Sequence, residues 1–129
     1  MHRFAFLVAL LALAVSGASA QACVKIRKGD GGHTCMKFSE VERKHAGQLG
    51  LRLGSPYASV LAHLSRNGWR IDREWLEELE TESKPDLPVC GQGWDATCHL
   101  QMKKGAKVIE LDFSGTNPGL PLIYARPAP

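Results

Sequence analysis

The chain has 129 residues, with 16 Lys plus Arg against 13 Asp plus Glu and a formal net charge of +3. That length fits one domain of ordinary size with a thin core. So small a basic surplus leaves no electrostatic footprint for nucleic acid or for an anionic membrane surface.

Residues 1–20 read as a secretory signal peptide. Arg3 supplies the short basic region, Phe4 to Val15 the apolar run, and Ala18-Ser19-Ala20 a small-residue cleavage site before Gln21. The apolar run is shorter than the roughly 17–25 residues a membrane helix needs. The mature chain, residues 21–129, is therefore expected to be a single α+β domain without a transmembrane span, placed in the periplasm or secreted. Arg3 is the only charged residue lost with the leader, so 15 Lys plus Arg face 13 Asp plus Glu and the net becomes +2. Acylation of Cys23 is disfavoured, because Ala20 stands three residues before it where lipoprotein sites usually carry Leu.

Four cysteines in an exported chain of this size read as two disulfides with three possible connectivities. Spacing favours Cys23 with Cys35, around the turn-like Gly29-Asp30-Gly31-Gly32, and Cys90 with Cys98, around Gly-Gln-Gly-Trp-Asp-Ala-Thr. Each bridge is worth roughly 2–3 kcal/mol. The competing reading is a zinc site from Cys23, His33, Cys35 and His45, but its spacing matches no usual zinc pattern and the compartment is oxidising. No metal and no cofactor are expected.

Cys23 to Arg27 and Thr34 to Phe38 are β-prone runs around a Gly-rich turn, a hairpin stapled by its own cysteines. Ser39-Glu40-Val41-Glu42 is a capping box that opens a helix to about Gln48. The strongest helix signal follows. Ser55 is the expected N-cap with Pro56 at the first helical position, and Tyr57, Val60, Leu61 and Leu64 form one apolar stripe. Gly68 suits the left-handed position after the helix end, with Trp69 folding back on it. Arg70-Ile71 is brief and extended, and Asp72 caps a further helix to about Glu82, with Trp75, Leu76 and Leu79 inward and Glu74, Glu77, Glu78, Glu80 and Glu82 outward. Lys84-Pro85-Asp86-Leu87-Pro88 breaks it.

Beyond the break the period changes to two. Cys98, Leu100 and Met102 alternate with polar residues, as do Ile109, Leu111 and Phe113. A turn at Lys104-Gly105 places Leu100 opposite Ile109 and Cys98 opposite Leu111. Leu122 to Arg126 is a last strand, marked as an edge by Pro121 and Pro127. The expected fold is α+β, with two or three short helices on one face of an antiparallel sheet and a disulfide-stapled hairpin at the N-terminus.

Gly54-Ser55-Pro56-Tyr57, Gly68-Trp69, Cys90-Gly91-Gln92-Gly93, Cys98 and the strands around Leu100 and Ile109 together resemble a group of small exported bacterial proteins. Those share Gly-x-x-Tyr, an apolar helix, Gly-Trp, a Pro-rich break, a Cys-x-Gly-x-Gly…Cys loop and a strand pair. The resemblance covers roughly residues 51–126 and implies an exported domain without bringing catalytic residues. More distantly, the helix-helix-strand order is similar to the small lipoproteins of the outer-membrane barrel-assembly machinery and to the repeats of β-lactamase inhibitor protein.

No catalytic constellation is legible. His33, His45, His63 and His99 sit in no zinc or nucleophile motif, and His63 and His99 are expected on outer faces. All four thiols are consumed by the expected bridges. The best binding candidate is the small bridged loop, with Gln92, Trp94 and Asp95 at its tip, since a rigidly held aromatic is the usual core of a binding hot spot. Packing of Trp94 over the core is the alternative. The sequence thus points to a non-enzymatic binding protein whose partner is another envelope or secreted protein. An inhibitor of an envelope hydrolase, inserting the loop into an active site, and a small hydrolase assembled from distant residues are the rival readings.

Overall fold

The computed structural model describes residues 23–27, 31–79, 87–93 and 96–129. Residues 1–22, among them the expected leader, residues 28–30, Glu80 to Asp86, and Trp94 with Asp95 lie outside the described residues. The elements run β1 (Val24–Arg27), β2 (His33–Met36), α1 (Glu40–Gln48), α2 (Tyr57–Arg66), β3 (Arg70–Ile71), α3 (Arg73–Glu78), β4 (Val89–Cys90), β5 (Thr97–Lys104), β6 (Lys107–Ser114) and β7 (Leu122–Pro127). This is the expected α+β fold.

β1 and β2 form an antiparallel hairpin closed by the Cys23–Cys35 disulfide, with a Cα separation of 5.2 Å. That bridge leaves neither sulfur as a thiolate for zinc, nor Cys23 for acylation. The hairpin is moored to the rest of the domain: Val24 is buried in the core, Met36 packs against it, and Asn117 donates to the carbonyl of Lys25. α1 starts as its capping box predicts. Ser39 Oγ accepts from the Glu42 N–H at 3.1 Å, and Glu42 Oε2 accepts from the Ser39 N–H at 2.6 Å. Its Ala46 is buried, and the helix lies against β7.

α2 begins one residue later than expected. Its N-cap is Pro56, with ψ 148°, and no side chain caps it. The cause is tertiary. The Gly54 N–H donates to the Leu122 carbonyl and the Leu122 N–H to the Ser55 carbonyl, so Ser55 is held in extended pairing. The first helical N–H, on Tyr57, is satisfied instead by the carbonyls of Gly119 and Leu120. Leu120 serves this role at φ +48°, a left-handed conformation that costs a non-glycine residue on the order of 1 kcal/mol. The far end matches expectation: Gly68 takes φ +88°, its N–H donates to Ser65 and the Trp69 N–H donates to Leu64, a complete Schellman closure that buries Trp69.

β3 and β4 lie end to end along one edge of β5; β6 follows and β7 forms the far edge, with every pairing antiparallel. The β5–β6 register is two residues from the expected one. Gly105-Ala106 makes the turn, so Leu100 faces Leu111, Cys98 faces Phe113 and Met102 faces Ile109. Gly105 thereby occupies the first central position with φ +59°, which a side chain at Lys104 would resist. A shift of two preserves the faces, so the apolar set still points inward.

That inner face carries Leu100, Met102, Ile109, Leu111 and Phe113, all buried under the α2 stripe of Val60 and Leu64. Tyr57 meets Phe113 edge-on, with ring centroids 5.1 Å apart. Burying a side chain such as Leu64 contributes about 2–3 kcal/mol. α3 is shorter than expected within the described residues, ending at Glu78, and none of its residues is fully buried.

Candidate binding surface

The bridged loop is built on β4 and β5. Cys90 lies directly opposite Cys98 in the ladder, 3.9 Å away Cα to Cα, and the two are disulfide-bonded. Cys98 is fully buried, which roots the bridge in the core. The neck is narrowed by the Gly91 N–H on the Thr97 carbonyl at 3.1 Å and the Ala96 N–H on the Gly93 carbonyl at 3.3 Å. Gly115 closes the base. Its N–H donates to the Ala96 carbonyl at 2.8 Å, and a Cβ at that position would come within 2.9 Å of both that oxygen and the Cys98 sulfur. From this base Gly91, Gln92 and Gly93 emerge exposed. Of the three candidate binding residues, Gln92 is thus placed on the surface, while Trp94 and Asp95 lie outside the described residues.

Alternation on β5, β6 and β7 sends His99, Gln101, Lys103, Glu110, Asp112 and Arg126 to the face opposite the core. Side chains on neighbouring strands pair across this face. His99 Nδ1 lies 2.5 Å from Asp112 Oδ1, and the two residues are direct ladder partners. Arg126 donates to Glu110 Oε2 through Nε at 3.1 Å and Nη2 at 3.0 Å, and its guanidinium stands 4.8 Å over the Tyr124 ring. The Glu110 contact holds Arg126 still more firmly protonated than usual. With Trp75 of α3, Leu79 just past its end and Val89 of β4, the side chains of His99, Gln101, Glu110, Asp112 and Arg126 line a groove of about 360 Å³ beside the bridged loop. Leu79 and Leu87 are two of the three exposed large apolar side chains among the described residues.

Asp72 fastens this wall. It is 4% exposed, yet its carboxylate accepts from the Trp75 N–H at 3.3 Å and from Gln101 Nε2 at 2.9 Å, and lies 3.2 Å from Lys103 Nζ. Burial pushes its pKa up, but these hydrogen bonds outweigh burial and hold the carboxyl below its ordinary value. Lys103 is raised by its hydrogen bonds to Glu74 and to Asp72. Sequence reading found Asp72 as a helix cap and missed its ties to Gln101 and Lys103, residues about thirty positions away.

The histidines differ from expectation in one case. His99 is on the outer face as expected, with its side chain 54% exposed. His63 instead points at the end of α1. The Leu49 carbonyl accepts from its Nε2 at 3.1 Å, which makes that nitrogen the protonated one. Gly50 permits the approach: at φ +70°, a Cβ there would stand 2.8 Å from His63 Nε2. No helix among the described residues is long and apolar enough to cross a membrane. Comparison with family models, curated proteins and solved structures returns no match to the chain.

Proposed function

We propose that this is an exported, non-enzymatic binding domain that engages another envelope or secreted protein through the Cys90–Cys98 loop and the groove beside it. One observation carries the reading: a loop rooted by a disulfide in the core projects Gly91-Gln92-Gly93 next to a groove walled by Trp75, Leu79 and Val89. Rigid presentation lowers the ordering cost of association, and an apolar wall beside satisfied charge pairs is the composition of a protein-binding patch. Two disulfides in so short a chain support an oxidising compartment, and with it the leader reading and the likeness to small exported proteins. Trp94 would be the tip anchor.

The hydrolase reading has one observation in its favour, the His99–Asp112 pair, in which Asp112 orients Nδ1 and leaves Nε2 free to act as a base. Against it, the groove is lined by no Ser, Thr or free Cys among the described residues, and hydrogen-bonded side chains on direct ladder partners are a common feature of sheets without any catalytic demand.

A pull-down from envelope extract with wild type, Trp94→Ala and His99→Ala separates the readings. The binding reading expects a protein retained by wild type and His99→Ala and lost with Trp94→Ala. Retention of a hydrolase alone, inhibited on binding, selects the inhibitor form of this reading. No retained protein, together with hydrolysis of a general ester substrate that His99→Ala abolishes, replaces it with the enzyme.

A further inference from the structure

At the hairpin end of the sheet, away from the bridged loop, lies the larger groove, about 530 Å³, between the ends of α1 and α2 and the start of β6. Its lining combines the half-buried Leu49 and Val108, the mostly buried Trp69 and Ile109 and the polar Gln48 and Asn67, and among the described residues its charged members are Lys104 and Lys107, with no acid. Those lysines are direct ladder partners across the Gly105-Ala106 turn. Like charges directly opposed destabilise a strand pair, and neither lysine has an ion-pair partner among the described residues. Folding gives no reason for the arrangement, whereas Lys103, one position earlier, is paired twice. The Lys104 stem lies beside Gly68 at the α2 closure, where an added Cβ would meet its Cε at 3.5 Å.

Helix C-termini repel anions through their unpaired carbonyls, and two helices end here. That repulsion is blunted, because the carbonyls of Ala46 and Leu49 at α1, and of His63, Leu64 and Ser65 at α2, already accept hydrogen bonds. What remains at the groove is two cations beside a lining of mixed apolar and polar side chains, in a volume within the usual range for small-ligand sites.

We propose that this groove binds a small amphipathic anion, a carboxylate on an apolar chain, with Lys104 and Lys107 holding the head and the half-buried Leu49 and Val108 lining the tail. The site is separate from the partner-binding loop and does not depend on it. Amide chemical shifts of the ¹⁵N-labelled mature protein, titrated with decanoate below its micelle concentration, test it. The expected result is a saturable shift of the Lys104 to Ile109 and Asn67 to Trp69 amides, weakened at least fivefold in Lys104→Gln/Lys107→Gln and unchanged in Lys25→Gln/Lys44→Gln. Decyltrimethylammonium and acetate should each leave these amides unmoved. Equal binding of decanoate by the Lys104→Gln/Lys107→Gln protein, or binding of decyltrimethylammonium, would reduce the groove to an apolar patch and overturn the proposal. Sedimentation of the protein with phosphatidylglycerol vesicles, without a decanoate response, would assign the lysines to a membrane surface and overturn it equally.

Discussion

Asp72→Ala removes the carboxylate that joins α3 to β5, and its cost can be built up from the contacts. Loss of the N-cap on the Trp75 N–H is worth about 1 kcal/mol. Gln101 then loses a 2.9 Å hydrogen bond to a charged acceptor, worth roughly 1.5 kcal/mol. Lys103 keeps Glu74 at 3.1 Å and water, so it adds little. The expected total is about 2–3 kcal/mol, read as a lower urea midpoint with unchanged slope by tryptophan fluorescence. Asp72→Asn keeps one capping oxygen for the Trp75 N–H but loses the charge and replaces the second acceptor, which Gln101 Nε2 now uses, by an NH2 donor, so it should still cost less than Asp72→Ala at pH 7. Because the folded carboxyl titrates below its ordinary value, its stabilisation is fully present above the unfolded pKa of about 3.9 and is lost as pH falls through the lower folded value. The gap between wild type and Asp72→Asn should therefore hold steady from pH 5 to 8 and shrink below pH 4. An Asp72→Ala cost under about 0.5 kcal/mol, or a gap that widens on acidification, refutes this.

Two glycines of one segment should respond in opposite directions. Gly47→Ala, in α1 with open space at its Cβ, should stabilise by about 0.5–1 kcal/mol, whereas Gly50→Ala, with left-handed φ and His63 at 2.8 Å, should destabilise by about 1–2 kcal/mol in thermal melts. Leu64→Ala should cost about 3 kcal/mol, since the side chain is fully buried under the sheet; a loss below 1 kcal/mol would contradict the placement of α2. Replacing Cys90 and Cys98 together by Ala should cost about 2–3 kcal/mol, and non-reducing digestion of the native protein should yield the Cys23–Cys35 and Cys90–Cys98 peptides, with a Cys23–Cys90 peptide counting against the topology.

Most elements were legible because their signals are local. The Ser39 capping box, the Tyr57 to Leu64 stripe, Gly68-Trp69 and the alternation of β5 and β6 each depend on residues within one or two turns. What escaped depends on distant partners. Ser55 was claimed by Leu122, which moved the α2 cap to Pro56. His63 was drawn to the end of α1 by a carbonyl fourteen residues earlier. The charge pairs of the outer face were hidden by the turn. A turn at Lys104-Gly105 sets His99 opposite Glu110, while the true Gly105-Ala106 turn sets it opposite Asp112 and leaves Glu110 to Arg126. A type II′ turn, with Gly at its first central position, was the alternative that would have found them, since Lys104-Gly105 as the turn pair would put Lys104 at the first central position, where hairpin turns require a positive φ.

Chemical-shift mapping of the labelled protein against the captured partner tests the binding surface most directly. Shifts should concentrate at Val89 to Gly93, at the tip residues Trp94 and Asp95, and at Trp75 and Leu79 along the groove wall. Shifts confined to α1 and the N-terminal hairpin, with the bridged loop silent, would contradict it.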